Sequence, residues 1–143
     1  MMSKPIRMIV ADDHPVVREG LVAILSTQAD FEVVAEANNG DVLLTHVKTY
    51  QPDIVLTDLE MPEVDGVAAI RQIHGMENAP GIIAFTAFDT DERILGAIQA
   101  GAKGYLLKGA PRDDIFRAIR TVAAGGSLLE PEITTRLLAH ISG

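Results

Sequence analysis

Cysteine is absent from the chain, which excludes disulfides, thiolate metal sites and a cysteine nucleophile. Long hydrophobic runs are absent as well. Nothing approaches the ~18 consecutive apolar residues that a membrane span requires. The opening Met1-Met2-Ser3-Lys4-Pro5 passes into a strand-like run without the apolar core of a signal peptide. A cytoplasmic protein with no membrane partner is therefore expected. Basic residues are scarce, with 12 Lys and Arg against 20 Asp and Glu and a net charge of −8. Neutralising nucleic-acid phosphates needs a basic face, so this chain is not expected to contact DNA itself. His14, His46, His74 and His140 are scattered without ligand-like spacing, which argues against a histidine metal site.

What is present suits one globular domain: 143 residues, 48% of them hydrophobic and 22% charged. Short apolar runs alternate with segments of helical period. Ile6 to Ala11 reads as a first strand, and Asp13-His14-Pro15 as a helix start with a cap candidate and an early proline. Phe31, Val33 and Ala35 suggest a short second strand at a sheet edge. Asn38-Asn39-Gly40-Asp41 turns into a helix that Gln51-Pro52 ends. Ile54 to Thr57 is a buried strand running out on Asp58, and Asp65-Gly66 precedes a helix with Val67, Ile70 and Ile73 inward. Ile82 to Thr86 is the fourth strand, Asp89 to Ala100 a helix, and Tyr105 to Lys108 a short fifth strand. Ala110-Pro111 opens a last helix that stops at Gly125-Gly126.

Five strands alternating with five helices predict an α/β fold, a doubly wound parallel sheet with helices on both faces. Right-handed crossovers bring all strand exits to one edge, where open sheets of this class bind their ligands. After Gly126, residues Leu128, Leu129, Ile133, Leu137, Leu138 and Ile141 form an amphipathic piece that a five-unit sheet does not need. It reads either as a helix packed on the domain or as a connector or dimer contact.

The polar groups at the strand exits are Asp12 and Asp13, Asp58, Thr86 and Lys108. In the order 2-1-3-4-5 taken from other doubly wound sheets, strands one and three are neighbours and the aspartates meet. Like charges about 4 Å apart repel by roughly 4 kcal/mol at an effective dielectric of about 20. Such a group needs a cation, a proton or a raised pKa. Oxygen donors with few protein ligands suit Mg²⁺, and with Lys108 the ion brings the site to neutrality. Asp58 then becomes a candidate nucleophile toward phosphorus. Small Ala87 next to Thr86 leaves room for the donor.

Asp12-Asp13, Asp58 with Met61-Pro62 and Asp65-Gly66, Thr86-Ala87, and Tyr105 with Lys108 together resemble the receiver domain of two-component response regulators. The wording from Gly101 to Lys108, followed by Ala110-Pro111, looks like the NarL/LuxR-type subfamily, which carries a C-terminal helix-turn-helix. The resemblance implies a flavodoxin-like fold of order 2-1-3-4-5. It also implies a phosphoryl group passed to Asp58 from a sensor histidine kinase. Asp13, Asp58 and the Glu60 backbone carbonyl would bind Mg²⁺, with Asp12 joining the metal site through water; Thr86, Ala87 and Lys108 would contact the phosphoryl group; Thr86 and Tyr105 would form a switch, the ring rotating inward. Homodimerisation on phosphorylation is a further implied property. On the same basis residues 1–126 form the receiver and 127–143 a linker toward a DNA-binding domain that this chain lacks. Many receivers carry proline after the site lysine; Gly109 stands there, and a trans peptide is expected.

Taken singly, these residues have plainer readings. Asp13 and Asp65 are as easily helix caps, His14 a loop residue, Thr86 a strand end, Lys108 an edge lysine and Tyr105 ordinary packing. Arg112, Arg117 and Arg120 read as a solvated face or as partners for acids across a dimer. Three other functions compete with this reading. An aspartyl phosphatase would want an acid two residues after its nucleophile, which Glu60 only approximates, and a cap domain. A flavin module would not place Asp12-Asp13 at its phosphate loop. A stand-alone receiver, acting as phosphate sink or protein-binding switch, is the closest alternative.

Overall fold

The computed structural model describes residues 4–62, 64–87, 90–129 and 131–142, apart from the side chains of 131, 132 and 140–142. β1 (Ile6–Ala11), β2 (Phe31–Ala37), β3 (Ile54–Thr57), β4 (Gly81–Thr86) and β5 (Gly104–Leu107) alternate with α1 (Pro15–Leu25), α2 (Gly40–Tyr50), α3 (Gly66–His74), α4 (Asp91–Ala100) and α5 (Arg112–Ala123). β6 (Leu128–Leu129) and α6 (Pro131–Ser142) follow. The sheet order is β2-β1-β3-β4-β5-β6, and every pairing is parallel. No helix among the described residues is long and apolar enough to cross a membrane.

The central strands are apolar on both faces because helices cover both. Alternation then sends successive side chains to opposite layers. Ile9, Val55, Ile82, Ala84 and Tyr105 face Leu43, Val47, Ile70, Ile73, Ile94 and Ile133, from α2, α3, α4 and α6. Met8, Val10, Leu56, Ile83, Phe85 and Leu106 face Leu21, Leu25, Phe116 and Ile119, from α1 and α5. Local chemistry sets the helix starts. Pro15 takes the first position of α1, and Asn39, Asp65 and Thr90 cap α2, α3 and α4 through their side chains. Asp65 is thus a cap as expected, whereas α1 begins on His14 without a side-chain cap bond, so Asp13 is not its cap.

The expected five strands become six. Leu128 and Leu129 pair with Gly104 and Tyr105, and Leu128 N donates to the Lys103 carbonyl at 2.9 Å. Without them the outer backbone groups of β5 would lack partners, and a turn at Gly125 (φ 95°) returns the chain to that edge. The tail packs rather than projecting: Ile133 is fully buried and Leu137 lies against the same core, while Leu138 is exposed. The side chain of Ile141 lies outside the described residues, as does Asp89, where α4 was expected to begin. The described part of that helix starts at Asp91 behind its Thr90 cap. On α5, Arg120 pairs with Asp30 at 2.8 Å and lies over the Phe31 ring, and Arg117 pairs with Asp114 at 3.1 Å, so both find acids within the chain.

Candidate functional site

The exits of β1, β3, β4 and β5 lie on one edge of the sheet. Asp58 N donates to the Ala11 carbonyl at 2.9 Å, which extends the β1–β3 ladder by one residue and draws the Asp58 carboxylate beside Asp12 and Asp13. Asp12 and Asp58 are buried and Asp13 half-buried. One carboxylate oxygen from each, with a ring nitrogen of His14, lies within 4.8 Å of all the others.

Lys108 follows directly on β5 and crosses to the acids. Its backbone N donates to the Thr86 carbonyl at 2.8 Å, holding the residue in line with β4. Its ammonium donates to Asp58 Oδ2 at 2.8 Å and lies 2.7 Å from Asp12 Oδ2, an ion pair outside good hydrogen-bond direction. Burial pulls the Lys108 pKa down, but the close contacts and negative charges of Asp12 and Asp58 outweigh it and hold the ammonium above its usual range. The other Asp58 oxygen accepts from Glu60 N at 3.1 Å. No described peptide bond is cis, so the Lys108–Gly109 step is trans.

Thr86, buried, ends β4 beside Asp58's strand, with exposed Ala87 after it. Tyr105 lies opposite Ala84 on the neighbouring strand and is fully buried. Asp12, Asp13, Asp58 and Lys108 therefore meet directly, Glu60 joins through its backbone, and Thr86, Ala87 and Tyr105 stand around them by strand position.

Other groups at the site were not legible as such. His14 is a loop residue, as expected, and its ring nitrogen lies 3.1 Å from Asp12 Oδ1 and 3.2 Å from Asp13 Oδ1. Arg18 donates to the Asp12 carbonyl at 2.7 Å. Arg93, from the first turn of α4, donates to the Leu59 carbonyl at 2.9 Å and stands 3.7 Å from Asp65. Only the closeness of His14 to the acid pair was a usable signal.

Three carboxylates and one ammonium leave an excess of two negative charges. Asp12 Oδ2 and Asp13 Oδ1 are buried and make no hydrogen bond. Buried carboxylate oxygens that make ion-pair contacts but no well-directed hydrogen bond, in a hard oxygen set with negative excess, fit a small divalent cation such as Mg²⁺.

The protein-family model described as response regulator receiver domain matches residues 8–120. The transcriptional regulatory protein YdfI of Bacillus subtilis is 39% identical over 131 residues, which cover 92% of this chain and 61% of that protein. Among solved structures, the signal receiver domain of the response regulator NarL from Mycobacterium tuberculosis superposes with a TM-score of 0.82 at 35% identity, covering 86% of this chain and 99% of that one. A LuxR-family two-component response regulator from Aurantimonas superposes with a TM-score of 0.90 at 31% identity, covering 99% and 100% of the two chains. The chain spans about three-fifths of the length of YdfI. An acidic cluster at the exits of β1 and β3, a lysine brought to it from β5 and a family match across almost the whole sheet lead to one conclusion: this chain belongs to the response regulator receiver domains, the phosphorylation-based signalling modules of two-component systems, and its relatives are of the NarL/LuxR type.

Proposed function

We propose that Asp58 accepts a phosphoryl group from a sensor histidine kinase and that the modified domain regulates transcription through a DNA-binding domain on its C-terminal side. The observation that carries this reading is the Lys108 ammonium bridging Asp12 and Asp58, 2.7 and 2.8 Å away. That arrangement holds a carboxylate at a sheet exit beside a cation able to follow charge onto a phosphoryl oxygen. An Asp58 carboxylate oxygen attacks phosphorus; the bond to the donor's histidine nitrogen, or to the oxygen of a small acyl phosphate, breaks and its electron pair leaves with the donor. An aspartyl phosphate results. Lys108 exchanges Asp58 for the phosphoryl oxygens, and Thr86 and the Ala87 backbone close on the group from β4. Asp12, Asp13, Asp58 and the Glu60 carbonyl would hold Mg²⁺, which when bound neutralises charge on the incoming oxygens.

Tyr105 is already inside the core. A Thr86–Tyr105 switch therefore requires an outward ring position in the unmodified protein, which the phosphoryl group then depopulates. Transcription as the output is supported by the naming of YdfI as a transcriptional regulatory protein and by that protein's greater length. The net charge of −8 leaves DNA contact to the further domain. Homodimerisation on phosphorylation and a cytoplasmic location belong to the same reading.

The test is incubation with acetyl phosphate and MgCl₂, followed by intact mass. Wild type gains the mass of one phosphoryl group and Asp58→Asn gains none. An equal gain in Asp58→Asn overturns the assignment.

A further inference from the structure

We infer that Arg93 is a positioning residue for the phosphoacceptor loop. The inference rests on the reading of Asp58 as phosphoacceptor and goes beyond it in tying the site to the C-terminal helix. The chain leaving β3 makes a closed loop from Asp58 to Gly66, and the Leu59 carbonyl is its fastening point. Gly66 N donates to that carbonyl at 3.1 Å and closes the loop. The Arg93 guanidinium donates to the same oxygen at 2.9 Å. A carbonyl oxygen has two lone pairs, and both are engaged. Leu59 lies between Asp58 and Glu60, and its own side chain is buried. That carbonyl belongs to the Leu59–Glu60 peptide, whose N–H donates to Asp58 Oδ1 at 3.1 Å, so the group that fixes it also holds the peptide that orients the Asp58 carboxylate.

The helix carrying Arg93 is itself tied down. Two residues earlier, Asp91 receives Arg136 of α6, whose Nε and Nη2 both approach Asp91 Oδ1 to 2.9 Å. Arg136 is half-buried, and α6 is anchored by Ile133 in the core one turn away. The first turn of α4 is thus clasped between two arginines, its own on the phosphoacceptor loop and that of α6 on Asp91. Groups behind metal ligands set ligand orientation, and their loss typically weakens metal binding by ~10–100-fold. Arg93 acts on the cation site in this way, through a backbone carbonyl, and α6 acts on Arg93 through Asp91.

The decisive measurement is a titration of the protein with MgCl₂ alone, followed by backbone amide chemical shifts, for wild type, Arg93→Ala, Arg93→Lys and Arg136→Ala. Arg93→Ala is expected to bind Mg²⁺ about tenfold more weakly. Arg93→Lys, which keeps one donor for the Leu59 carbonyl, recovers most of the loss. Arg136→Ala loses about two- to threefold. With acetyl phosphate the half-saturating Mg²⁺ concentration rises in the same order while the rate at saturating Mg²⁺ stays near wild type. Equal Mg²⁺ affinity in wild type and Arg93→Ala overturns the inference, and so does failure of the lysine variant to recover binding in a folded protein. If wild type neither binds Mg²⁺ nor gains a phosphoryl group, the phosphoacceptor reading itself fails, so the two failures are told apart.

Discussion

Helix α5 enters its side of the sheet with Ile115, Phe116, Ala118, Ile119 and Val122, whereas α4 enters the other side with Ile94, Ala97 and Ala100. A large side chain contributes roughly 1.5–3 kcal/mol on full burial and an alanine much less. α5 is therefore held mainly by burial, which is non-directional and tolerates small shifts. α4 rests on a smaller apolar footprint and is fixed by directed contacts at its first turn, from Arg93 to the Leu59 carbonyl and from Arg136 to Asp91. Directed contacts can be exchanged for others at little net cost, while a buried phenyl ring cannot. The two faces are thus held differently: α5 by burial, and α4 by directed contacts, one of which reaches the loop that follows Asp58.

The contrast can be broken most severely at Phe116, which is buried and meets Phe31 edge-on at 5.8 Å. Phe116→Ala is expected to lower unfolding free energy by about 3–5 kcal/mol in denaturant titration. In the folded protein, Mg²⁺ affinity should stay near wild type; a loss there would show that the platform also tunes the site. Next comes Gly66→Ala. An added Cβ would lie 2.4 Å from both Cα and O of Leu59, so the loop must open. Expected are about 1–3 kcal/mol of destabilisation and a phosphorylation rate that falls far more than the stability does. Wild-type kinetics with acetyl phosphate would refute the closed-loop account.

Smaller effects appear with pH. The Lys108 pKa is raised in the folded protein, so its contribution is complete below the unfolded value of about 10.4 and disappears as pH rises through the folded value. Melting temperature should decline across that alkaline window in wild type, and this part of the decline should be missing in Lys108→Met. Asp30 behaves in the opposite sense. The Arg120 hydrogen bond lowers its pKa against a small opposing effect of burial. Its contribution is present above about pH 4 and is lost as pH falls through the lower folded value. An exposed pair of this kind is worth at most about 1 kcal/mol. Arg120→Ala should therefore flatten acid unfolding only slightly, and a large effect would mean that α5 too depends on polar fastening.

Much of this architecture was legible in the sequence, because each inner strand is a short apolar run bounded by a turn and each exit carries its polar residue next to the run. Parallel connection then brings Asp12, Asp58 and Lys108 to one edge whatever the details of packing. β6 escaped because Leu128-Leu129 is too short to show a period, and it is a strand only by virtue of the open edge beside it. Arg93 and Arg136 escaped for another reason. A surface arginine looks the same in sequence whether it points at water or at a carbonyl, and only the approach of α4 and α6 to the loop separates the two. Asp65-Gly66 was visible as a turn and cap. That Gly66 must also let Leu59 pass against it became apparent only from the loop's closure.

The sixth strand has a practical meaning for anyone who shortens this protein. Ending the chain at the glycine pair, where the last sheet-covering helix stops, would strip β5 of its neighbour at Gly104 and Tyr105 and remove Ile133 from the core. The result would be a bare strand edge next to an apolar gap, a combination that invites edge-to-edge association between copies. Oligomers of such a fragment would report the cut rather than the signal, so self-association on phosphorylation is best weighed in protein that keeps residues 127–142.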